Sequence, residues 1–239
     1  VLGLAGCIFP NSTTHSEATG VSQVAEAALT SAEGKIFSKG PHGEDPAPPS
    51  SADLTPDEVA RVKAKAATAA IVMHYAGNDW AIAQIDGLKN EFGRLGIQVV
   101  AVTDANFQPD RQVSNLETVM AKKPAIIVSI PSDPVATADA YKAAARAGAR
   151  LVFMDQPPNG MTPGRDYVSV VSADNYGNGV VSAHLMAKAL GGKGKIGVIY
   201  HEADFFVTRQ RYELFRTAIT ENYRLWSKAN HQNGNPAET

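Results

Sequence analysis

The chain has 239 residues, room for one large domain or two small ones. Its net charge of −2 removes any general electrostatic case for nucleic acid or an anionic membrane as partner. A single cysteine, Cys7, excludes an intramolecular disulfide, and no apolar run reaches the length of a membrane-spanning helix.

Near the start, Leu4-Ala5-Gly6-Cys7 has the form of a bacterial lipobox, whose cysteine is lipidated after signal cleavage. The bland alternative is a chance cysteine among small residues. No basic stretch precedes it, so residues 1–54 read as a signal remnant and a disordered tether, rich in Ser, Thr, Ala, Gly and Pro. Thr55-Pro56-Asp57-Glu58 predicts the start of a leading helix over 55–67: Thr55 caps, Pro56 fits the first turn, and Glu58 stands three after the cap.

Residues 69–73 are an apolar run of the buried-strand kind. Ala76-Gly77-Asn78-Asp79 breaks it as a turn, and a helical face then follows through Ile82, Ile85, Leu88, Phe92 and Leu95, stopping at Gly96. The alternation continues, with strands expected near 69–74, 98–103, 125–130, 150–154 and 195–200. Helices are expected near 80–95, 110–122, 134–147, 174–190 and 208–222, with Gly96 and Gly148 closing helices and Pro109 and Pro134 opening them. Strands apolar throughout belong to a sheet covered on both faces, so the fold class is α/β with doubly wound parallel sheets. A further extended run at 167–171 breaks the rhythm and reads as a strand crossing from one sheet to another. The stretch from Lys195 echoes the one from Ala69, a weak internal repeat with one copy per lobe.

Chemistry of the common enzyme motifs is missing. Gly192, Gly194 and Gly197 match a dinucleotide fingerprint, but they follow a helix and enter a strand, the reverse of the required context. There is no nucleophile elbow and no phosphate-binding loop. His201 and Asp204 read as solvated loop residues rather than ligands. No cofactor and no metal site is expected.

Polar residues at strand ends are the better signal, because open α/β sheets bind ligands outside the carboxyl ends of their strands. Asp155 follows an apolar strand and can accept two hydroxyl hydrogen bonds, each worth roughly 1.5–3 kcal/mol with a charged partner; the alternative is a cap or turn. Asn78 can donate and accept, or simply be a turn residue. Trp80 can lay its face on a sugar ring, or be core. His74 is a strand-end ligand or a satisfied structural histidine. Arg211 can fork onto vicinal hydroxyls, or lie on a solvated helix face beside Arg209.

As an ordered set, I-V-M-H-Y-A-G-N-D-W, D-A-N-F-Q-P-D-R-Q, A-I-I-V-S-I-P-S-D-P, L-V-F-M-D, S-A-D-N-Y-G-N-G and R-Q-R-Y-E-L-F resemble the periplasmic sugar-binding proteins of ABC transporters, of the ribose-binding type. The resemblance covers about residues 68–223. It implies two lobes closing on a sugar, the first over 68–171 and a partial second over 172–223, with an atypical tail at 224–239. It implies ligand contacts at His74, Asn78, Trp80, Asp155, Gln156, Phe205 and Arg211. Gln156 stands where ribose binders often have arginine, which puts pentose specificity in doubt. Missing second-lobe segments read as a C-terminal truncation or frameshift, with weak or absent ligand closure expected. The implied function is extracytoplasmic capture of a sugar or polyol for an inner-membrane ABC permease, as a monomer without nucleic acid. A ligand-sensing domain of a lactose-repressor-type regulator is the alternative, and an enzyme on a doubly wound fold a further one.

Overall fold

The computed structural model describes residues 12–199 and 205–223. The described elements, in chain order, are α1 (Ser12–Ala32), α2 (Pro56–Ala64), β1 (Thr68–Met73), α3 (Asp79–Arg94), β2 (Gln98–Asp104), α4 (Pro109–Ala121), β3 (Ile126–Ser129), α5 (Ala138–Arg146), β4 (Arg150–Met154), β5 (Ser169–Val171), α6 (Asn175–Ala189) and α7 (Phe206–Tyr223). They divide into two compact units. One takes residues 38–173 and 205–208, the other 12–37, 174–199 and 209–223.

The first unit is built on a five-stranded parallel sheet of order β2-β1-β3-β4-β5. Period-two alternation sends successive side chains to opposite faces. Ala70 and Val72 of β1 join Ile127, Leu151 and Phe153 in a core that includes Leu116, Val119, Tyr141 and Ala144 of α4 and α5. Ala69, Ile71 and Met73 join Val128 and Met154 in a second core with Ala81, Ile85 and Phe92 of α3, against which Val59 and Val62 of α2 pack. Both faces are therefore covered, as the apolar strands require.

Local rules set the element ends. Thr55 and Glu58 form a reciprocal capping box at the start of α2. The α3 helix stops where Gly96 adopts φ +68°, with Ile97 N–H on Phe92 O and Gly96 N–H on Gly93 O. This 6→1 and 5→2 pair satisfies the last carbonyls at no Cβ cost, and Gly148 repeats it after α5.

Several expectations need correction. The extended run at 167–171 does not leave for another sheet; β5 pairs in parallel with β4 as the edge of the same sheet. No strand forms over 195–199, where Ile199 is fully exposed; among the described residues, that unit holds no other strand to receive its hydrogen bonds. Tyr200, His201 and Asp204, like Cys7 and residues 224–239, lie outside the described residues. Pro134 does not open a helix: Asp133 Oδ1 accepts from Val135 and Ala136 N–H, folding residues 134–137 into a turn before α5. Ile82 is 47% exposed, and Ala81 takes the buried place beside Ile85. Part of the expected tether is the 21-residue helix α1.

The second unit is helical. Ala25 of α1 packs with Ala183 and Ala187 of α6 and with Ala218, Ile219 and Tyr223 of α7. Small residues bring these helices close. A Cβ at Gly179 would stand 2.4 Å from Arg211 O and 3.0 Å from Phe215 N, both backbone atoms that cannot swing away. Gly179→Ala is therefore expected to destabilise the protein by about 1–3 kcal/mol, the usual range for overpacking. A urea midpoint equal to that of the unsubstituted chain would overturn the close-approach reading.

Candidate functional site

The carboxyl ends of the first unit's strands line up. Met73 pairs with Asp104, Val72 with Ser129, Ser129 with Phe153, and Met154 with Val171. Residues following these positions form one edge about five strands wide, with neighbours roughly 4.8 Å apart.

His74 caps the end of β1. Its ring meets Phe107 edge-on at 5.1 Å, and Phe107 stacks on Tyr75 at 4.8 Å. The backbone that presents Phe107 is strained: Asn106 and Phe107 sit at φ +50° and +58°, held by Phe107 N–H on His74 O at 2.7 Å. An aromatic residue in the left-handed region is an outlier that its surroundings must enforce. Burial pushes the His74 imidazole below its ordinary 6.5, while the carboxylates of Asp155 and Asp104 pull it back up. The two carboxylates therefore stand near enough to His74 for their charges to act on it.

Asp155 is the middle of a tight three-residue turn, with Gln156 N–H on Met154 O at 2.8 Å and its own φ at +67°. Its N–H donates to Val171 O, and its Oδ1 accepts from the Ser172 hydroxyl at 3.0 Å. Gln156 is only 2% exposed. Its Oε1 accepts from Phe206 N–H at 2.7 Å, which anchors the first turn of α7 and places Phe205 beside the same strand end.

Asn78 caps α3 through Oδ1, which accepts from Ala81 N–H at 2.8 Å. The turn reading of Asn78 therefore holds for its oxygen, and its amide nitrogen is the part that can address a ligand. Trp80, in the first turn of α3, is 50% exposed rather than core. Arg211 belongs to the other unit, where its Nε donates to Asn175 Oδ1 at 2.7 Å.

Among the described residues, four buried side-chain polar atoms lack a hydrogen-bond partner: His74 Nδ1, Thr103 Oγ1, Ser132 Oγ and Gln156 Nε2. All four stand at or just past the carboxyl ends of β1, β2, β3 and β4. Buried polar atoms are normally paired, and each exception calls for an explanation. Clustering on one sheet edge, they form a row of donors and acceptors suited to hydroxyl groups. Thr103, Asp104, Phe107 and Ser132 escape sequence reasoning because each has an ordinary strand or turn explanation; position at a strand's carboxyl end was the available signal. Among the described residues no group of three or more His, Cys, Asp or Glu is placed to hold a metal ion.

A family model described as a periplasmic binding protein domain matches residues 69–239. The chain belongs to this family. Its doubly wound parallel sheet is that of the type I periplasmic binding proteins. Ribose import binding protein RbsB of Salmonella typhimurium is 27% identical over 152 residues, 64% of this chain and 50% of that protein. RbsB of Escherichia coli K12 is 26% identical over the same shares. The chain thus spans about half the length of the curated relatives it matches. Among solved structures, an ABC transporter solute-binding protein from Agrobacterium vitis, bound with α-D-tagatopyranose, is 25% identical with a TM-score of 0.61, covering 70% of this chain and 58% of that one. The arabinose-binding protein AraP from Geobacillus stearothermophilus is 26% identical with a TM-score of 0.57, covering 66% and 53%.

A pH dependence follows from buried histidines in this family member. His184, in the other unit, has its Nδ1 2.5 Å from Tyr223 Oη, and burial lowers its pKa as it does for His74. The unfolded chain binds the proton more readily, so stability is full above about pH 6.5 and falls as pH drops below it. Urea midpoints are expected to fall between pH 7.5 and 5.5, and to fall less in a His74→Gln, His184→Gln double variant. An identical fall in both proteins would refute this assignment.

Proposed function

We infer that the chain serves as an extracytoplasmic solute-binding protein that captures a sugar or polyol for an ABC importer. The observation that carries this reading is the row of unpartnered buried polar atoms on the sheet edge of a periplasmic binding protein domain. His74, Asp155, Gln156 and the Asn78 amide supply hydrogen bonds to ligand hydroxyls, and Trp80 supplies an apolar face for the ring. Phe205 walls the site, and Arg211 reaches it from the second lobe when that lobe closes. Residues 68–171 act as the first lobe and 172–223 as part of the second, closure being driven by ligand contacts to both. The ligand passes to an inner-membrane permease, and the protein works as a monomer in the periplasm or, through a lipid on Cys7, at the membrane surface. The relatives are solute-binding proteins, which favours capture over catalysis and over a transcription regulator.

A thermal-shift panel tests the reading. D-ribose, L-arabinose, D-tagatose, D-allose and glycerol are each titrated to millimolar concentration. A ligand that binds only the native state stabilises it by about 2.7 kcal/mol at a hundred times its Kd. At least one sugar or polyol is expected to raise the Tm. Shifts with amino acids and with none of these five would overturn it.

A further inference from the structure

Gln112 lies on α4 and is wholly buried. Its carboxamide is fully engaged with the backbone that follows β3. Nε2 donates to Ile130 O at 2.8 Å, and Oε1 accepts from Ser132 N–H at 2.6 Å. A buried amide costs free energy unless both ends are paired, and an apolar side chain would fill the same volume without that demand. What the amide adds is a clamp across Ile130, Pro131 and Ser132. The far side of this loop is held as well, with Asn159 N–H on Pro134 O at 2.8 Å and Asp133 Oδ1 accepting from Val135 and Ala136 N–H.

The residue left between these two anchors is Ser132. It is 6% exposed, and its Oγ has no hydrogen-bond partner. In the strand order its loop lies between β1, which His74 follows, and β4, which Asp155 and Gln156 follow. We propose that the Ser132 hydroxyl is a ligand-binding group and that Gln112 is the residue that positions it. This rests on the sugar-site reading above. A hydroxyl that can both donate and accept matches the alcohol groups of a sugar or polyol, and a loop pinned at both ends presents it without an ordering cost on binding.

The test uses the full chain and three variants, with calorimetric titration of D-ribose, L-arabinose, D-tagatose, D-allose and glycerol. Ser132→Ala is expected to weaken binding about tenfold, the effect of one lost hydrogen bond with its partner left unmet. The Tm without ligand is expected to stay level or rise, because an unpaired buried hydroxyl is removed. Gln112→Met is expected to weaken binding similarly, and Gln112→Glu, kept protonated by burial so that its O–H donates to Ile130 O and its carbonyl accepts from Ser132 N–H, to restore most of it. A Ser132→Ala protein that loses Tm but not affinity overturns the binding role. Amide hydrogen exchange tests the clamp without ligand: in Gln112→Met, faster exchange is expected at 130–133 and not in β1 or β3. Loss of protection across the whole core would make Gln112 mere core support and overturn its positioning role. If none of the five probes binds the unsubstituted chain, the sugar-site reading fails and the role of Ser132 with it, while the exchange result still decides the clamp.

Discussion

On the proposed ligand contact, Asp155→Gly is expected to leave the protein at least as stable as before and to weaken ligand binding by about 100-fold or more. The residue sits at φ +67°, where an L side chain costs about 1–2 kcal/mol and glycine nothing comparable. Against that relief stands one exposed hydrogen bond from Ser172, worth about 0.5–1.5 kcal/mol. The two nearly cancel, with relief the larger. Ligand affinity has no such compensation. Losing two charge-assisted hydrogen bonds at about 1.5 kcal/mol each, the low end of their range, weakens binding by about 100-fold or more. Asp155→Asn, whose side chain tolerates the same backbone, separates charge from conformation and is expected to fall in between. Melting and titration with the best sugar of the panel provide the check. Unchanged affinity in the glycine variant would reduce Asp155 to a turn residue.

Phe153→Ala is expected to produce the largest loss of stability of any substitution considered. Phe153 is wholly buried at the centre of three aromatic rings, edge-on to Tyr141 at 5.2 Å and to Tyr167 at 5.7 Å. Removing it leaves a cavity and costs about 3–5 kcal/mol, a large part of a typical domain's total of 5–15 kcal/mol. The site shares the damage, since the Tyr141 hydroxyl bonds that of Ser129, which donates to Val72 O in the neighbouring strand at 2.6 Å. Denaturant unfolding followed by tryptophan fluorescence measures the loss. A cost under about 1 kcal/mol would mean that the surrounding rings collapse to fill the space.

Most of the first unit was legible in the sequence because its signals are local. Thr55 and Glu58, Gly96 and Gly148 each dictate an element end through hydrogen bonds within a few residues, and the apolar runs at 69–73 and 150–154 identify strands covered on both faces. The misses are tertiary. Whether 195–199 pairs depends on a neighbouring strand, and whether 167–171 stays in its own sheet depends on β4 being free on one side. Ile82 and Ala81 differ by one position on a helix face, and packing rather than periodicity decides between them. Of the proposed ligand contacts, His74, Asn78, Trp80 and Asp155 were visible as polar or aromatic residues near strand ends, and Gln156 only through the family resemblance. Ser132 and Gln112 were not, because the meaning of a glutamine on one helix depends on a loop twenty residues further along, Ser132 N–H being the donor to its oxygen.

Strand order has a kinetic consequence. Strand β1, which precedes β2 and β3 in the chain, lies inside the sheet between them. Its Val72 carbonyl waits for the Ser129 hydroxyl, 57 residues later. At the usual 5–20 residues per second this separation takes about 3–11 s to translate. For that interval the nascent chain carries an apolar strand with one flank open. Its exposure to chaperones and to other nascent chains is thus governed by how fast the ribosome reaches β3.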